Sequence, residues 1–250
     1  MQVFYFFKVN SFYFFQPHSI CYFYLMKKFA VIVAGGTGSR MNSSVPKQFL
    51  VLKGKPVLYY TINAFLNAYN DLKIILVLPE THVAAGQEII DAFFDYSRIQ
   101  ITVGGRTRFH SVQNGLKLID EESIVFVHDA VRCMLTVDLI KRCNDAALEY
   151  GSAIPVVDSK DSVRLIVGDG NEALERNNVK LVQTPQCFHS KILLPAFFNI
   201  DYKDKFTDEA TVVEAFGLKV YLVEGEEQNI KITNKIDLEI AENLMEEKNG

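Results

Sequence analysis

The strongest constraint on the fold is a rhythm. Short apolar, β-branched runs at Lys28–Ala34, Lys73–Leu78, Ile99–Val103, Ile124–His128 and Ser152–Val157 alternate with longer amphipathic segments. The segments between them, Pro56–Asn70, Val83–Tyr96, Arg108–Leu118 and Thr136–Tyr150, read as helices. In the first of these, proline suits the opening turn, and Leu58, Ile62 and Phe65 recur at helical spacing. Strands apolar at nearly every position have both faces covered. The pattern therefore predicts an α/β fold: a mostly parallel sheet, helices on both faces and right-handed crossovers. Ligands of such sheets lie beyond the carboxyl ends of the strands.

Past Asp158 the rhythm breaks. VRLIV, GDGNE and RNNVKLVQ predict two strands around a Gly-Asp-Gly turn, an antiparallel arm at about 158–183. Helices are expected at Ser190–Phe198 and Asp208–Phe216, the latter with Thr207 as N-cap, and a terminal helix at Lys235–Glu247. Val220–Val223 and Asn229–Ile232 read as late strands.

The first 25 residues carry eleven of the thirty aromatics. Lys8, Asn10 and Gln16-Pro17-His18 break any membrane-length apolar run, and neither a basic amino end nor a small-residue cleavage site marks a signal peptide. We expect translation to start at Met26, residues 1–25 to stand outside the fold, and 26–250 to form one domain. A net charge of −4 argues against a nucleic-acid or anionic-membrane footprint. Cys21, Cys133, Cys143 and Cys187 lack metal or redox spacing and read as reduced thiols of a cytoplasmic protein.

Four strand ends carry chemistry. After the first strand, AGGTGSRMNSSVPKQF places Gly35, Gly36 and Gly38 where backbone N–H groups can approach an anion, with Arg40 and Lys47 beside them. Neither a P-loop nor a GxGxxG spacing is present, and glycines that merely turn the chain fit equally well. After the third strand, GGRTRFHS opens a helix whose N-terminus suits an anion; alone it reads as an ordinary connection. Asp129, in VHDAVR after the fourth strand, can hold Mg²⁺ or a ribose hydroxyl, or serve only as the cap of the next segment. In NIKIT, Lys231 alternates with isoleucines and faces a cleft or solvent. Together they suit a nucleoside triphosphate and a phosphorylated acceptor.

In order, AGGTGSRM, PKQF, GGRTRFHS, VHDAVR, QTPQCF, TDEA and NIKIT resemble the 2-C-methyl-D-erythritol 4-phosphate cytidylyltransferase family, from about Lys27 to the terminal helix. The resemblance implies a Rossmann-like, nucleotide-diphospho-sugar transferase-like fold with a protruding β-arm. It implies transfer of CMP from CTP to the acceptor phosphate, with release of pyrophosphate, in non-mevalonate isoprenoid synthesis. It assigns catalysis to Arg40 and Lys47, and CTP binding to Ala34, Gly35, Gly36, Thr37, Gly38, Lys47, Gly105, Ser111, Asp129, Ala130, Arg132 and Lys231. Acceptor positioning falls to Asp161, Ser162, Arg176, Thr184, Thr207 and Lys231, and Mg²⁺ to Asp129. It also implies a homodimer whose arms complete the neighbouring sites.

Ser162 stands where the family usually has threonine, and Cys133 where proline is common. The loop Thr37-Gly38-Ser39-Arg40 also resembles ribitol-5-phosphate cytidylyltransferases, whereas the acidic Glu209 favours the methylerythritol family. A nicotinamide-dependent oxidoreductase would use Glu80 for the ribose, but would leave Lys47 and Lys231 without a purpose. A non-catalytic binding module is opposed by retention of Arg40 and Lys47.

Overall fold

A computed structural model describes residues 26–35 and 45–247. The expectations for residues 1–25, and for Gly36, Thr37, Gly38 and Arg40, lie outside the described residues. Strand β1 (Lys27–Val33) leads to a short 3₁₀ turn at Lys47–Phe49, the hairpin β2 (Val51–Leu52) and β3 (Lys55–Pro56), and helix α1 (Val57–Ala68). Next come β4 (Lys73–Leu78), α2 (Val83–Phe93), β5 (Ile99–Val103), α3 (Arg108–Leu116), β6 (Ser123–Asp129), α4 (Val137–Tyr150) and β7 (Ser152–Asp158). The remainder is β8 (Arg164–Val167), β9 (Gly170–Ala173), β10 (Lys180–Val182), β11 (Gln186–His189), α5 (Ser190–Asn199), α6 (Glu209–Ala215), β12 (Leu222–Glu224) and α7 (Lys235–Glu247).

The main sheet has the order β10-β7-β11-β6-β1-β4-β5, with β12 also paired to β7. β1 lies between β4 and β6, parallel to both, so that Val31 stands opposite Ile75 and Val127. β11 enters antiparallel between β6 and β7. The sheet is therefore mostly parallel, as expected. Its strands look uniformly apolar because successive residues serve different cores. Ala30 and Ile32 face Leu58, Ile62, Phe65 and Ile140 of α1 and α4. Phe29, Val31 and Val33 face Phe109, Val112, Phe197 and Val213 of α3, α5 and α6. A third cluster joins Leu52, Met134, Ile232 and Ala241, seating α7 against the β2–β3 hairpin. In that hairpin Lys53 and Gly54 both have positive φ (44° and 80°), the backbone that a two-residue type I′ turn demands.

Several expectations need correction. The arm hairpin pairs β8 with β9, not with the RNNVKLVQ stretch; β10, from that stretch, returns to the edge of β7. Asn229–Ile232 forms no strand. Its Ile232 N–H donates to Val131 O (3.0 Å), and the isoleucine is buried in the third cluster. The late strand starts at Leu222, not Val220. Asp208, not Thr207, caps α6, its carboxylate accepting from Thr211 N–H at 3.0 Å. No described helix is long and apolar enough to cross a membrane.

Cys133, Cys143 and Cys187 are free and buried. Burial pushes the Cys133 and Cys143 thiols up to about 12, and that of Cys187 upward as well. A thiol held protonated is a poor nucleophile. Iodoacetamide at pH 8 should leave all three unmodified in the native protein and label them after unfolding. Peptide mapping that finds native labelling at any of the three contradicts their burial.

Candidate active site

The carboxyl ends of β1, β5 and β6 open into a cavity of about 330 Å³. Ala34 and Gly35 form its floor beside Gln48, whose side-chain amide donates to Ala34 O at 2.7 Å. Lys47 also lines it, held at 7 % exposure by the 3₁₀ turn. On the opposite wall the turn before α3 folds tightly. Gly105 N–H donates to Ser111 Oγ (3.1 Å), and that hydroxyl donates to Thr107 O (3.0 Å). A Cβ at Gly105 would lie 2.4 Å from His110 Cβ and 3.0 Å from its carbonyl carbon, so glycine is required there by space. Ser111 thus shapes the turn from within.

Asp129 ends β6 at the junction of two cavities. Its Oδ2 lies 2.7 Å from Lys231 Nζ, its Oδ1 3.1 Å from Arg108 Nε, and Arg132 Nε stands 4.0 Å from Oδ2. Burial opposes its charge, but Arg108 and Lys231 outweigh that and hold the carboxyl well below the usual carboxylate range. Arg108 is gripped from behind by Glu209, fully buried at the start of α6, through contacts of 2.5 and 3.2 Å. Burial pushes the Glu209 carboxyl upward while Arg108 pulls it down. For Arg108 burial works against the charge, yet the two carboxylates raise its pKa and keep it cationic.

A second cavity, about 210 Å³, shares Arg108, Asp129 and Lys231 with the first. Arg132, Thr184 and Thr207 also line it. Arg132 donates from Nη1 to Asn229 O (2.8 Å), while its Nε is buried with no hydrogen-bond partner. Behind this wall His128 is fully buried, its imidazole pushed down to about 3 by desolvation. The lysine of NIKIT is positioned by the cap of α7. Asp237 accepts from Thr233 N–H (2.7 Å) and Asn234 N–H (2.9 Å). Burial opposes the Asp237 charge, but the Thr233 hydroxyl, which also donates to it, and these two backbone N–H groups hold the carboxyl low, with Lys47 adding its charge nearby.

All four predicted strand-end sites therefore contribute described residues to one place. Ala34, Gly35, Lys47, Gly105, Ser111, Asp129 and Lys231 line the first cavity. Thr184, Thr207 and Arg132 belong to the second. Ala130 lies beneath, donating to Val33 O (3.1 Å) and accepting from Thr61 Oγ (2.8 Å). Asp161 and Ser162 stand exposed on the arm, and Arg176 lines a separate cavity of about 520 Å³ with Lys160 and Lys180. Glu80 lines neither shared cavity; it opens an exposed turn after β4. Sequence reasoning missed Arg108, Glu209 and His128 as parts of the site. The one local signal for Arg108 was its place in the first turn of α3, directly after the glycines.

Residues 28–247 match the family profile of 2-C-methyl-D-erythritol 4-phosphate cytidylyltransferase. The protein of that name from Phocaeicola vulgatus is 45 % identical over 220 residues, covering 88 % of this chain and 100 % of its own. One from Clostridium botulinum is 38 % identical over 226 residues, covering 89 % and 99 %. Among solved structures, the 4-diphosphocytidyl-2C-methyl-D-erythritol synthase of Anaerococcus prevotii superposes with a TM-score of 0.77 at 29 % identity, covering 88 % of this chain and 96 % of that one. The Francisella tularensis enzyme does so at 0.71 and 32 %, covering 86 % and 98 %. With the strand-end cavities, the carboxylate–cation junction and these likenesses in agreement, the chain belongs to the 2-C-methyl-D-erythritol 4-phosphate cytidylyltransferase family, nucleotidyltransferases of isoprenoid synthesis.

Proposed function

We propose that the first cavity takes CTP and the second takes 2-C-methyl-D-erythritol 4-phosphate, so that an acceptor phosphate oxygen attacks the α-phosphorus in line and pyrophosphate leaves. The observation that carries this reading is the sharing of Arg108, Asp129 and Lys231 by both cavities. Donor and acceptor would meet at one cluster of fixed charge. Such chemistry needs no covalent enzyme intermediate; it rests on positioning and electrostatic stabilisation.

In this reading Lys47, with Arg40, meets the charge growing on the triphosphate. The backbone at Ala34, Gly35 and Gly105 approaches the nucleotide. Lys231 and Arg132, which line the second cavity, receive the acceptor phosphate. Among the described residues no three acidic, histidine or cysteine side chains group to hold a metal, so a divalent cation would be held by substrate phosphates with at most one protein carboxylate. Asp129 offers an ionised hard-oxygen ligand in the cavity, and Mg²⁺ commonly takes one protein carboxylate plus substrate phosphates. Bound there, it would neutralise triphosphate charge. Phosphorus NMR of the product tests the reaction. Two mutually coupled diphosphate resonances on the alcohol are expected, and a product without a P–O–P linkage overturns it.

The arm supports a homodimer. Leu165, Ile166 and Val167 are 48, 73 and 49 % exposed along β8, and Arg176 sits apart from the shared cavities. We place Asp161, Ser162 and Arg176 in a neighbouring subunit's acceptor site, and residues 26–250 in one cytoplasmic domain. Arg176→Ala should raise KM for the acceptor far more than KM for CTP; an isolated loss of CTP affinity contradicts this. Mixing Lys47→Ala with Arg176→Ala subunits should restore turnover, because one site of each mixed dimer is intact. Mixed dimers as inactive as the parents would place Arg176 within its own subunit's site.

A further inference from the structure

Two distant stretches of chain, residues 183–185 and 225–231, bring Thr184 and Lys231 to the second cavity. Neither stretch is a strand, and side chains fasten one to the other. Gln183 reaches across in one direction. Its Nε2 donates to Glu226 O (2.8 Å), and its Oε1 accepts from Glu226 N–H (3.1 Å). Asn229 reaches back. Its Nδ2 donates to Thr184 O (2.8 Å) and stands 3.5 Å from Gln183 Oε1. A carbonyl oxygen only accepts, so the nitrogen end of the Asn229 amide is the one that faces Thr184. The Asn229 backbone is engaged too: its N–H donates to Glu226 O (2.9 Å), and its carbonyl accepts from Arg132 Nη1 (2.8 Å). Gly225 lets the two stretches close, since a Cβ there would lie 2.6 Å from Gln183 Oε1 and 3.0 Å from Val156 O.

We infer that Gln183 and Asn229 form a reciprocal amide clasp that sets the spacing of Thr184, Arg132 and Lys231 around the acceptor, with Asn229 a positioning residue. Asn229 is fully buried and lines neither shared cavity. It nevertheless holds Thr184 by its side chain and Arg132 by its carbonyl, and Lys231 follows two residues later, just before Ile232 N–H is tied to Val131 O. Each amide of the clasp satisfies backbone groups of the opposite stretch, so losing one leaves buried polar groups unpaired and frees the two stretches to part. The floor of the first cavity is tied elsewhere, Ala34 by Gln48 and Gly105 by Ser111. The clasp therefore acts on the acceptor more than on CTP. This inference rests on reading the second cavity as the acceptor subsite.

Steady-state kinetics of Asn229→Leu, Gln183→Met and the double variant test it. Leucine keeps the branched outline of asparagine without the donor, and methionine keeps the length of glutamine without the amide. Each single variant should raise KM for 2-C-methyl-D-erythritol 4-phosphate about 10- to 100-fold and KM for CTP by no more than about 3-fold. The double variant should lose no more than the poorer single, because both substitutions undo one device. A merely structural defect would lower the melting temperature and the active fraction, and so kcat, without favouring one substrate's KM. Losses that multiply in the double variant would overturn the clasp and leave Gln183, which lines the cavity, acting on its own. Unchanged KM for both substrates in folded variants would overturn the inference and leave the cavity assignment standing. A rise for CTP alone would overturn the cavity assignment and the inference with it. Should the variants not fold, nitrogen-15 NMR of the parent decides. The Asn229 side-chain amide should exchange with water far more slowly than that of the exposed Asn243, and the acceptor should slow it further than CTP does. Exchange as fast as at Asn243 would overturn the inference.

Discussion

Lys47→Ala should lower kcat by at least about 100-fold, with the unfolding midpoint little changed. The lysine lines the first cavity at 7 % exposure, fixed by a short 3₁₀ turn whose neighbour, Gln48, is separately anchored on Ala34 O. A cation held there from the start costs no reorganisation when charge accumulates on the triphosphate. One such contact contributes roughly 3–4 kcal/mol, which corresponds to a loss of two to three powers of ten. The loss should fall on kcat and kcat/KM together, the signature of an interaction made mainly in the transition state. Turnover near that of the parent in a folded variant would remove Lys47 from the mechanism.

The largest effect on stability is expected at Glu209. Glu209→Ala strips a fully buried carboxylate from Arg108 and leaves the guanidinium leaning on Asp129 alone. Breaking a buried pair on one side costs about 3–5 kcal/mol, on the order of 10 °C in melting temperature for a chain of this size. Joint replacement, Arg108→Met with Glu209→Leu, removes both charges and should recover part of that loss while abolishing turnover, because the cation shared by both cavities is gone and Asp129 keeps only Lys231 and Arg132. Thermal unfolding of the single and double variants measures the coupling. A Glu209→Ala protein within about 1 kcal/mol of the parent would show that the pair carries little, as exposed pairs do.

The sheet was legible because burial on both faces writes itself as near-continuous apolar runs, and β1, β4, β5 and β6 appeared within a residue or so of their observed bounds. The arm was harder. β9, Gly170–Ala173, is exposed at every position and carries no apolar pattern, so the more apolar KLV segment looked like the better partner for β8. The alternation in Asn229–Ile232 is real, but it serves the packing of Ile232 beneath α7 and no ladder. Thr207 and Asp208 are both good capping residues, and only the bond to Thr211 N–H separates them. The strand-end sites were legible as positions, since topology gathers strand ends. Their internal wiring was not: Arg108 and Glu209 lie 101 residues apart, and nothing local marks them as partners. His128 reads in sequence as one more strand residue, and only its two ring contacts reveal a polar role.

The most direct test of the central claim is pyrophosphate release from CTP and Mg²⁺, with 2-C-methyl-D-erythritol 4-phosphate and ribitol 5-phosphate offered in parallel to the folded protein. Release with the methylerythritol acceptor and little with ribitol phosphate is the expected result. Release with ribitol phosphate alone, or none with either, would contradict it.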